Sequence, residues 1–157
     1  MAAAPADAPA AQAQLPLRDY GLVADGLTSA LVGRDGGVGW LCLPRPDSPS
    51  IFAPLLDPAH AGWCRWWPRH GGLGEQRYLP GSNVLVTELN TPHGRLRLTD
   101  WMPARFDGGD VPGFGSGAIC RFAEALEGET ELVLTCEPRP EYGRMGVRWW
   151  RGAAGVW

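Results

Sequence analysis

After an Ala- and Pro-rich start, apolar and polar residues alternate along the chain with a period of two rather than the period of a helix. Leu27 to Val32 is a short apolar run stopped by Gly33-Arg34-Asp35-Gly36, and Val38 to Leu43 resumes it. Asp-Gly tolerates the positive φ of a tight turn, so the two runs predict a β-hairpin. Asn83 to Asn90 and Arg95 to Trp101 predict a second hairpin around Thr91-Pro92-His93-Gly94. In its second arm Arg95, Arg97 and Thr99 alternate with Leu96, Leu98 and Asp100, giving one wet and one apolar face. Ala118 to Leu126 and Glu131 to Cys136 predict a third hairpin turning at Glu127-Gly128-Glu129. Ser50 to Leu56 is a modest helix candidate, short and interrupted by Pro54. Hairpins at close spacing, without long helical patterns, predict an all-β chain folded as an antiparallel β-sandwich.

Length and composition change this picture little. The 157 residues suit one domain, and 45% hydrophobic residues are enough for a core. Residues 1–16 are expected to be a disordered leader, and residues 17–157 the folded domain. The leader lacks the basic start and continuous apolar stretch of a signal peptide, and no segment is apolar enough to span a membrane as a helix. A cytoplasmic location is expected. Phe106 to Gly117 is expected to be a mobile loop. Val147 to Trp157 is aromatic and Gly-rich and reads as the opening of something that continues, so the domain is expected to be truncated at its C-terminus. Net charge is −3, which argues against nucleic-acid binding. All 14 basic residues are arginine. Cys42, Cys64, Cys120 and Cys136 are scattered without a C-x-x-C pair, and reduced thiols are expected.

Several chemistries find no support. His60, His70 and His93 have no partner at metal-ligand spacing, so neither metal nor cofactor is expected. The glycines of 33–39 and 113–117 precede no helix in a phosphate-binding pattern. Glycoside hydrolysis needs two carboxylates flanking the scissile bond. Asp25, Asp47, Asp57, Glu88 and Asp100 are available, but their spacing separates no acid from a base. The eight tryptophans include the cluster Trp63, Trp66 and Trp67. Trp66 and Trp67 admit two readings: stacking on sugar rings, or packing within the protein. The rigid loop Pro44-Arg45-Pro46-Asp47-Ser48-Pro49 carries an arginine and an aspartate. Asp47 there suits a cap on the following segment, and Arg45 a clamp on Asp47, on a carbonyl or on a substrate hydroxyl.

Asp19-Tyr20-Gly21-Leu22-Val23-Ala24-Asp25, Thr28-Ser29-Ala30-Leu31-Val32-Gly33-Arg34-Asp35-Gly36, Trp40-Leu41-Cys42-Leu43-Pro44-Arg45 and Asp47-Ser48-Pro49-Ser50 follow one another in order. Arg77-Tyr78-Leu79-Pro80-Gly81-Ser82-Asn83-Val84-Leu85, Leu98-Thr99-Asp100-Trp101-Met102-Pro103 and Pro138-Arg139-Pro140-Glu141-Tyr142-Gly143-Arg144 come after them. Together they resemble the N-terminal, trehalase-like domain of bacterial glycoside hydrolase family 15 proteins, which are glucoamylase-like and trehalase-like enzymes. The resemblance implies a β-sandwich packed against a following (α/α)6 barrel that holds the two catalytic glutamates of an inverting hydrolysis. It implies trehalose or another α-glucoside as the substrate of the full enzyme, and the barrel as this domain's partner. No catalytic residue carries over, because the barrel has no room in this chain. Trp40, Arg45 and Asp47 are then expected at a substrate rim or domain interface. The chain departs from the family pattern at Gly39, where Asp is usual, and at Pro46, where Phe is usual. The alternatives are a free-standing carbohydrate-binding module that uses its tryptophans, and a non-functional gene fragment.

Overall fold

A computed structural model describes residues 14–104 and 117–147. Most of the expected leader, nearly all of the expected loop at 106–117 and all of the chain after Val147 lie outside the described residues. After a single turn of 3-10 helix at Leu17–Asp19 come β1 (Tyr20–Ala24), β2 (Ser29–Gly33), β3 (Val38–Cys42) and β4 (Ser50–Phe52). They are followed by β5 (Trp63–Pro68), β6 (Glu75–Tyr78), β7 (Leu85–Thr91), β8 (Gly94–Trp101), β9 (Cys120–Gly128) and β10 (Leu132–Glu137). The all-β, antiparallel reading of the sequence is correct.

The strands form three sheets, in the orders β1-β2-β3-β4, β10-β5 and β6-β7-β8-β9. The first two predicted hairpins are present as β2-β3 and β7-β8. Gly36, at φ +78°, makes the first turn. A Cβ there would run into the Trp66 carbonyl oxygen, so the turn sits directly against β5.

Two readings are corrected. Ser50 to Leu56 is not a helix: Ser50–Phe52 pairs with β3 as an edge strand. Pro54 would remove a helical hydrogen bond one turn in, whereas a short strand buries Phe52 and adds to an existing ladder. The third hairpin is also absent. β9 pairs with β8 over Gly94 to Trp101, while β10 leaves to pair with β5, from Leu132 opposite Pro68 to Glu137 opposite Trp63. The crossing is held at Arg69, whose N–H donates to the Glu131 carbonyl at 3.0 Å and whose guanidinium pairs with the Glu131 carboxylate at 2.7 Å.

The four-stranded sheets face each other. Val23, Ala30, Val32, Val38, Leu41 and Phe52 of the first meet Leu85 and Met102 of the third, with Cys64 of β5 closing the layer. A smaller cluster of Leu89, Leu96 and Leu98 packs against Trp66, Ala123 and Leu132. Trp66 touches both clusters, so β5 joins them. The sandwich edge is sealed by polar side chains. Leu22 N–H donates to the Tyr78 hydroxyl at 2.8 Å, and that hydroxyl donates to the Leu22 carbonyl at 2.9 Å. Asn83 Nδ2 reaches the Ala24 carbonyl at 2.8 Å. The tyrosine and asparagine of the 77–85 motif therefore tie β6 and its turn to β1.

Candidate functional site

The loop after β3 begins with a cis peptide at Leu43-Pro44. Ser48 closes it: its Oγ accepts from Arg45 N–H at 3.2 Å, and its N–H donates to the Arg45 carbonyl at 3.1 Å. Across Pro46 the Arg45 guanidinium meets the Asp47 carboxylate with both arms, Nε to Oδ1 at 2.8 Å and Nη2 to Oδ2. This bidentate fork lowers the Asp47 pKa and raises that of Arg45. Asp47 therefore serves Arg45 here. Both side chains are exposed, so the loop presents a neutral, pre-formed fork to its surroundings.

Trp40 lies on β3, half-buried, on the same strand face as Cys42. The glycine before it has a local cause. A Cβ at Gly39 would enter the Tyr20 ring, so the aromatic side chain that opens β1 occupies the space an aspartate would need.

The remaining carboxylates are held by the domain's own groups. Asp25, buried in the β1-β2 turn, accepts the Leu27 and Thr28 N–H groups on Oδ1, each at 2.8 Å. Asp57 accepts the Ala59 and His60 N–H groups and contacts the His60 ring at 3.2 Å. Glu88 sits among Arg97 at 2.9 Å, Arg77 at 3.2 Å and Arg95 at 3.9 Å. Hydrogen bonds from Arg97 lead in lowering its pKa, with Arg77 adding to the effect. Glu88 lies opposite Arg97 and Asp100 opposite Leu85, so the two carboxylates point to opposite faces of the third sheet. Glu88 and Asp100 therefore do not flank a common space in the manner that glycoside hydrolysis demands. Among the described residues, no cluster of three or more His, Cys, Asp or Glu is placed to hold a metal ion.

Successive residues of a strand face opposite ways, so Trp66 and Trp67 do not share one platform. Trp66 turns to the core clusters, and Arg121 lies 5.5 Å from its ring centre. Trp67 turns to the other face, with the Arg65 guanidinium 4.7 Å from its ring centre. Trp63, like Arg65 and Trp67, stands on that second face.

One buried, multiply bonded side chain belongs to none of the residues singled out from the sequence. Arg121 on β9 donates from Nε to Asp100 Oδ1 at 2.6 Å, and from Nη2 to the Gly36 carbonyl at 2.9 Å. Its Nη1 lies 3.8 Å from Cys64 Sγ. The Arg121 side chain is 5% exposed and that of Asp100 0%. Burial opposes the guanidinium's charge, but the adjoining Asp100 carboxylate outweighs it and raises the arginine's pKa. One residue thereby joins all three sheets. A signal exists in the pattern: Asp100 falls in register with Leu96 and Leu98, and Arg121 lies within the apolar run Ile119 to Ala123. A charge at an inward position of each of two neighbouring strands marks a buried ion pair.

Comparison with known proteins places the chain among trehalase relatives. The chain is 33% identical to a trehalase of Mycolicibacterium smegmatis and 32% identical to one of Mycobacterium tuberculosis, each match covering 85% of this chain. It is 37% identical to trehalase 1 of Sulfolobus acidocaldarius over 57% of its length. The chain spans 22% of the length of the Mycolicibacterium protein, 21% of the Mycobacterium protein and 16% of the Sulfolobus protein. No solved structure is a significant match to it. Among the described residues, no helix is long and apolar enough to cross a membrane. The profile of the family described as trehalase-like, N-terminal, matches residues 10–156, and the chain belongs to that family.

Proposed function

We propose that this chain is the non-catalytic N-terminal β-sandwich of a cytoplasmic family 15 glycoside hydrolase of trehalase or glucoamylase type. Its role is to brace an (α/α)6 catalytic barrel and to shape the rim of that barrel's active site. The full enzyme hydrolyses an α-glucosidic bond, with trehalose the first substrate to test. The observation that carries this reading is the uneven burial of the sandwich. β1, β2, β3, β7 and β8 each hold buried residues, whereas β6, β9 and β10 hold none apart from the Arg121 side chain, which the ion pair with Asp100 encloses. Phe122 and Leu134 on those strands, and Tyr142 and Met145 in the turn that follows, are each more than half exposed. Apolar exposure of this kind marks a surface that docks on another body. The relatives, several times longer than this chain, supply a body of the right size. The Arg45–Asp47 fork and Trp40 belong to the rim in this reading, as a rigid polar corner offered to the barrel or its substrate.

The test combines the purified chain with the remainder of the Mycolicibacterium smegmatis trehalase, expressed separately, and follows glucose release from trehalose. The chain alone is expected to release none, and its addition to raise the activity of the other part. Turnover of trehalose, maltose or maltotriose by this chain alone, abolished by Asp47→Asn or Glu88→Gln, would overturn the proposal.

A further inference from the structure

Cys64 and Cys136 lie 72 positions apart in the sequence, yet they are direct cross-strand partners in the β5-β10 ladder. Residues directly opposed in an antiparallel pair have Cα atoms about 4.5 to 5.5 Å apart, within the roughly 4.4 to 6.8 Å that a disulfide spans. Opposed side chains also share one face of the sheet, so the two sulfurs point the same way. The two thiols interact, and Arg121 places a guanidinium nitrogen 3.8 Å from Cys64 Sγ. Their surroundings differ. Cys64 is buried at 7% exposure, whereas Cys136 on the edge strand is exposed. Cys42 and Cys120 have neither feature: burial raises the pKa of each, and Cys42 is paired in register with Ser50, Cys120 with Trp101.

We propose that Cys64 and Cys136 form a redox-sensitive pair that a hydroperoxide converts to a disulfide, covalently fixing β10 to β5. The hydrogen bond between the two sulfurs lowers the Cys64 pKa and raises that of Cys136, so Cys136 first passes its proton to Cys64, and the exposed Cys136 thiolate then attacks the peroxide. An S–O bond forms and the O–O bond breaks, leaving Cys136 as a sulfenic acid, and the thiol proton departs with the alcohol or water. The Cys64 thiolate then attacks the Cys136 sulfur. The S–S bond forms, the S–O bond breaks, and hydroxide leaves to become water by taking a proton from solvent. Two thiols and one hydroperoxide thus yield one disulfide, one alcohol (water, for hydrogen peroxide) and one water. The division of labour follows from the environment. The accessible sulfur meets the oxidant, while the buried one holds the shared proton, yields it to the leaving alkoxide or hydroxide, and returns to a thiolate beside Arg121. The Cys136 interaction, with Arg121 helping, brings the Cys64 pKa down to about 7 against the opposing effect of burial.

The experiment treats the reduced 157-residue chain with hydrogen peroxide, blocks free thiols with iodoacetamide, and maps the non-reduced protein by mass spectrometry. The expected product has lost two hydrogen atoms and carries a Cys64–Cys136 cross-link, with Cys42 and Cys120 still alkylated; dithiothreitol reverses it. Cys64→Ala is expected to leave Cys136 as a sulfenic acid that dimedone traps, and Cys136→Ser to leave Cys64 alkylatable after denaturation. The proposal fails if peroxide takes Cys136 of the unmutated chain to sulfinic acid without a cross-link. It fails equally if the disulfide that forms involves Cys42 or Cys120, or joins two chains through Cys136.

Discussion

Removing the Asp100 carboxylate is expected to be among the most damaging single changes to this domain. In Asp100→Asn the side chain keeps its size and its inward position, 0% exposed, but the Arg121 guanidinium, 5% exposed, loses its carboxylate partner and keeps the Cys64 sulfur as an acidic neighbour. Its other contacts are the Gly36 carbonyl at 2.9 Å, Cys64 Sγ at 3.8 Å and the Trp66 face at 5.5 Å, none of them a carboxylate. Breaking a buried pair from one side costs about 3 to 5 kcal/mol, because the remaining charge stays desolvated. A domain of this size holds about 5 to 15 kcal/mol in total. At roughly 2 to 4 °C per kcal/mol, the melting temperature should fall by about 6 to 20 °C. Urea unfolding, followed by tryptophan fluorescence, should show a lower midpoint with an unchanged slope. The control is the double variant Asp100→Leu with Arg121→Met. It removes both charges, and the Gly36 carbonyl keeps its bond from Trp66 N–H at 3.1 Å. Apolar replacement of a buried pair is often nearly neutral, so the double variant should be more stable than Asp100→Asn. A cost below about 1 kcal/mol for Asp100→Asn, the range of an exposed pair, would contradict a buried pair at this position. A double variant less stable than Asp100→Asn would contradict the desolvation cost of the remaining charge.

Gly36→Ala should destabilise the domain by at least about 2 kcal/mol in the same assay, since an L-residue at φ +78° is strained and its Cβ meets the Trp66 carbonyl. Glu88 has a folded-state pKa below its unfolded value, so its contribution is present above the ordinary glutamate range and is lost as pH falls through the lowered value. Melting temperatures should therefore fall between about pH 5 and pH 3, and Glu88→Gln should flatten that slope. Asp47→Asn, at an exposed fork, should leave melting unchanged while lowering the activity of the reassembled enzyme; a large stability loss would show that the loop supports the fold. Closing Cys64 to Cys136 ties off a loop of roughly 70 residues, worth about 4 kcal/mol in the chain-entropy account. The peroxide-treated chain should accordingly melt higher than the reduced one.

The parts of this fold legible in the sequence are those fixed by neighbours along the chain. The hairpins β2-β3 and β7-β8 need only alternation and a turn that accepts it, and both signals are local. Periodicity reports which face a residue takes but is silent on which strand lies beside it. Alternation in Glu131 to Cys136 therefore marks a strand without naming its partner: β10 skips β9 for β5, far earlier in the chain. Cys64 and Cys136 are invisible as a pair in the sequence for the same reason. The tryptophans show the converse. Three in five residues admit sugar stacking or packing, and the strand sends Trp66 and Trp67 to opposite faces, Trp66 toward the core clusters.

The same distinction bears on where function can reside. Tyr78 and Asn83 seal an edge, and Asp100 anchors Arg121, so two of the stretches that carry the family resemblance are explained by the sandwich itself. The Arg45–Asp47 fork and the 138–144 turn are not explained in this way. Among the described residues, the two charged side chains of the fork bond to each other. The turn is tied to β4 by Arg139 N–H, which donates to the Ile51 carbonyl at 3.0 Å, yet it keeps Glu141 and Tyr142 at φ of 55° and 56°. Non-glycine residues in that region cost about 1 to 3 kcal/mol each. Ordered loops whose cost the isolated domain does not repay are the natural points of contact with a second body. If that is so, Glu141→Gly and Tyr142→Gly should each stabilise the isolated chain, by relieving the left-handed backbone, while weakening its effect on the catalytic part. Equal or lower stability in both variants would place the origin of this turn within the sandwich instead.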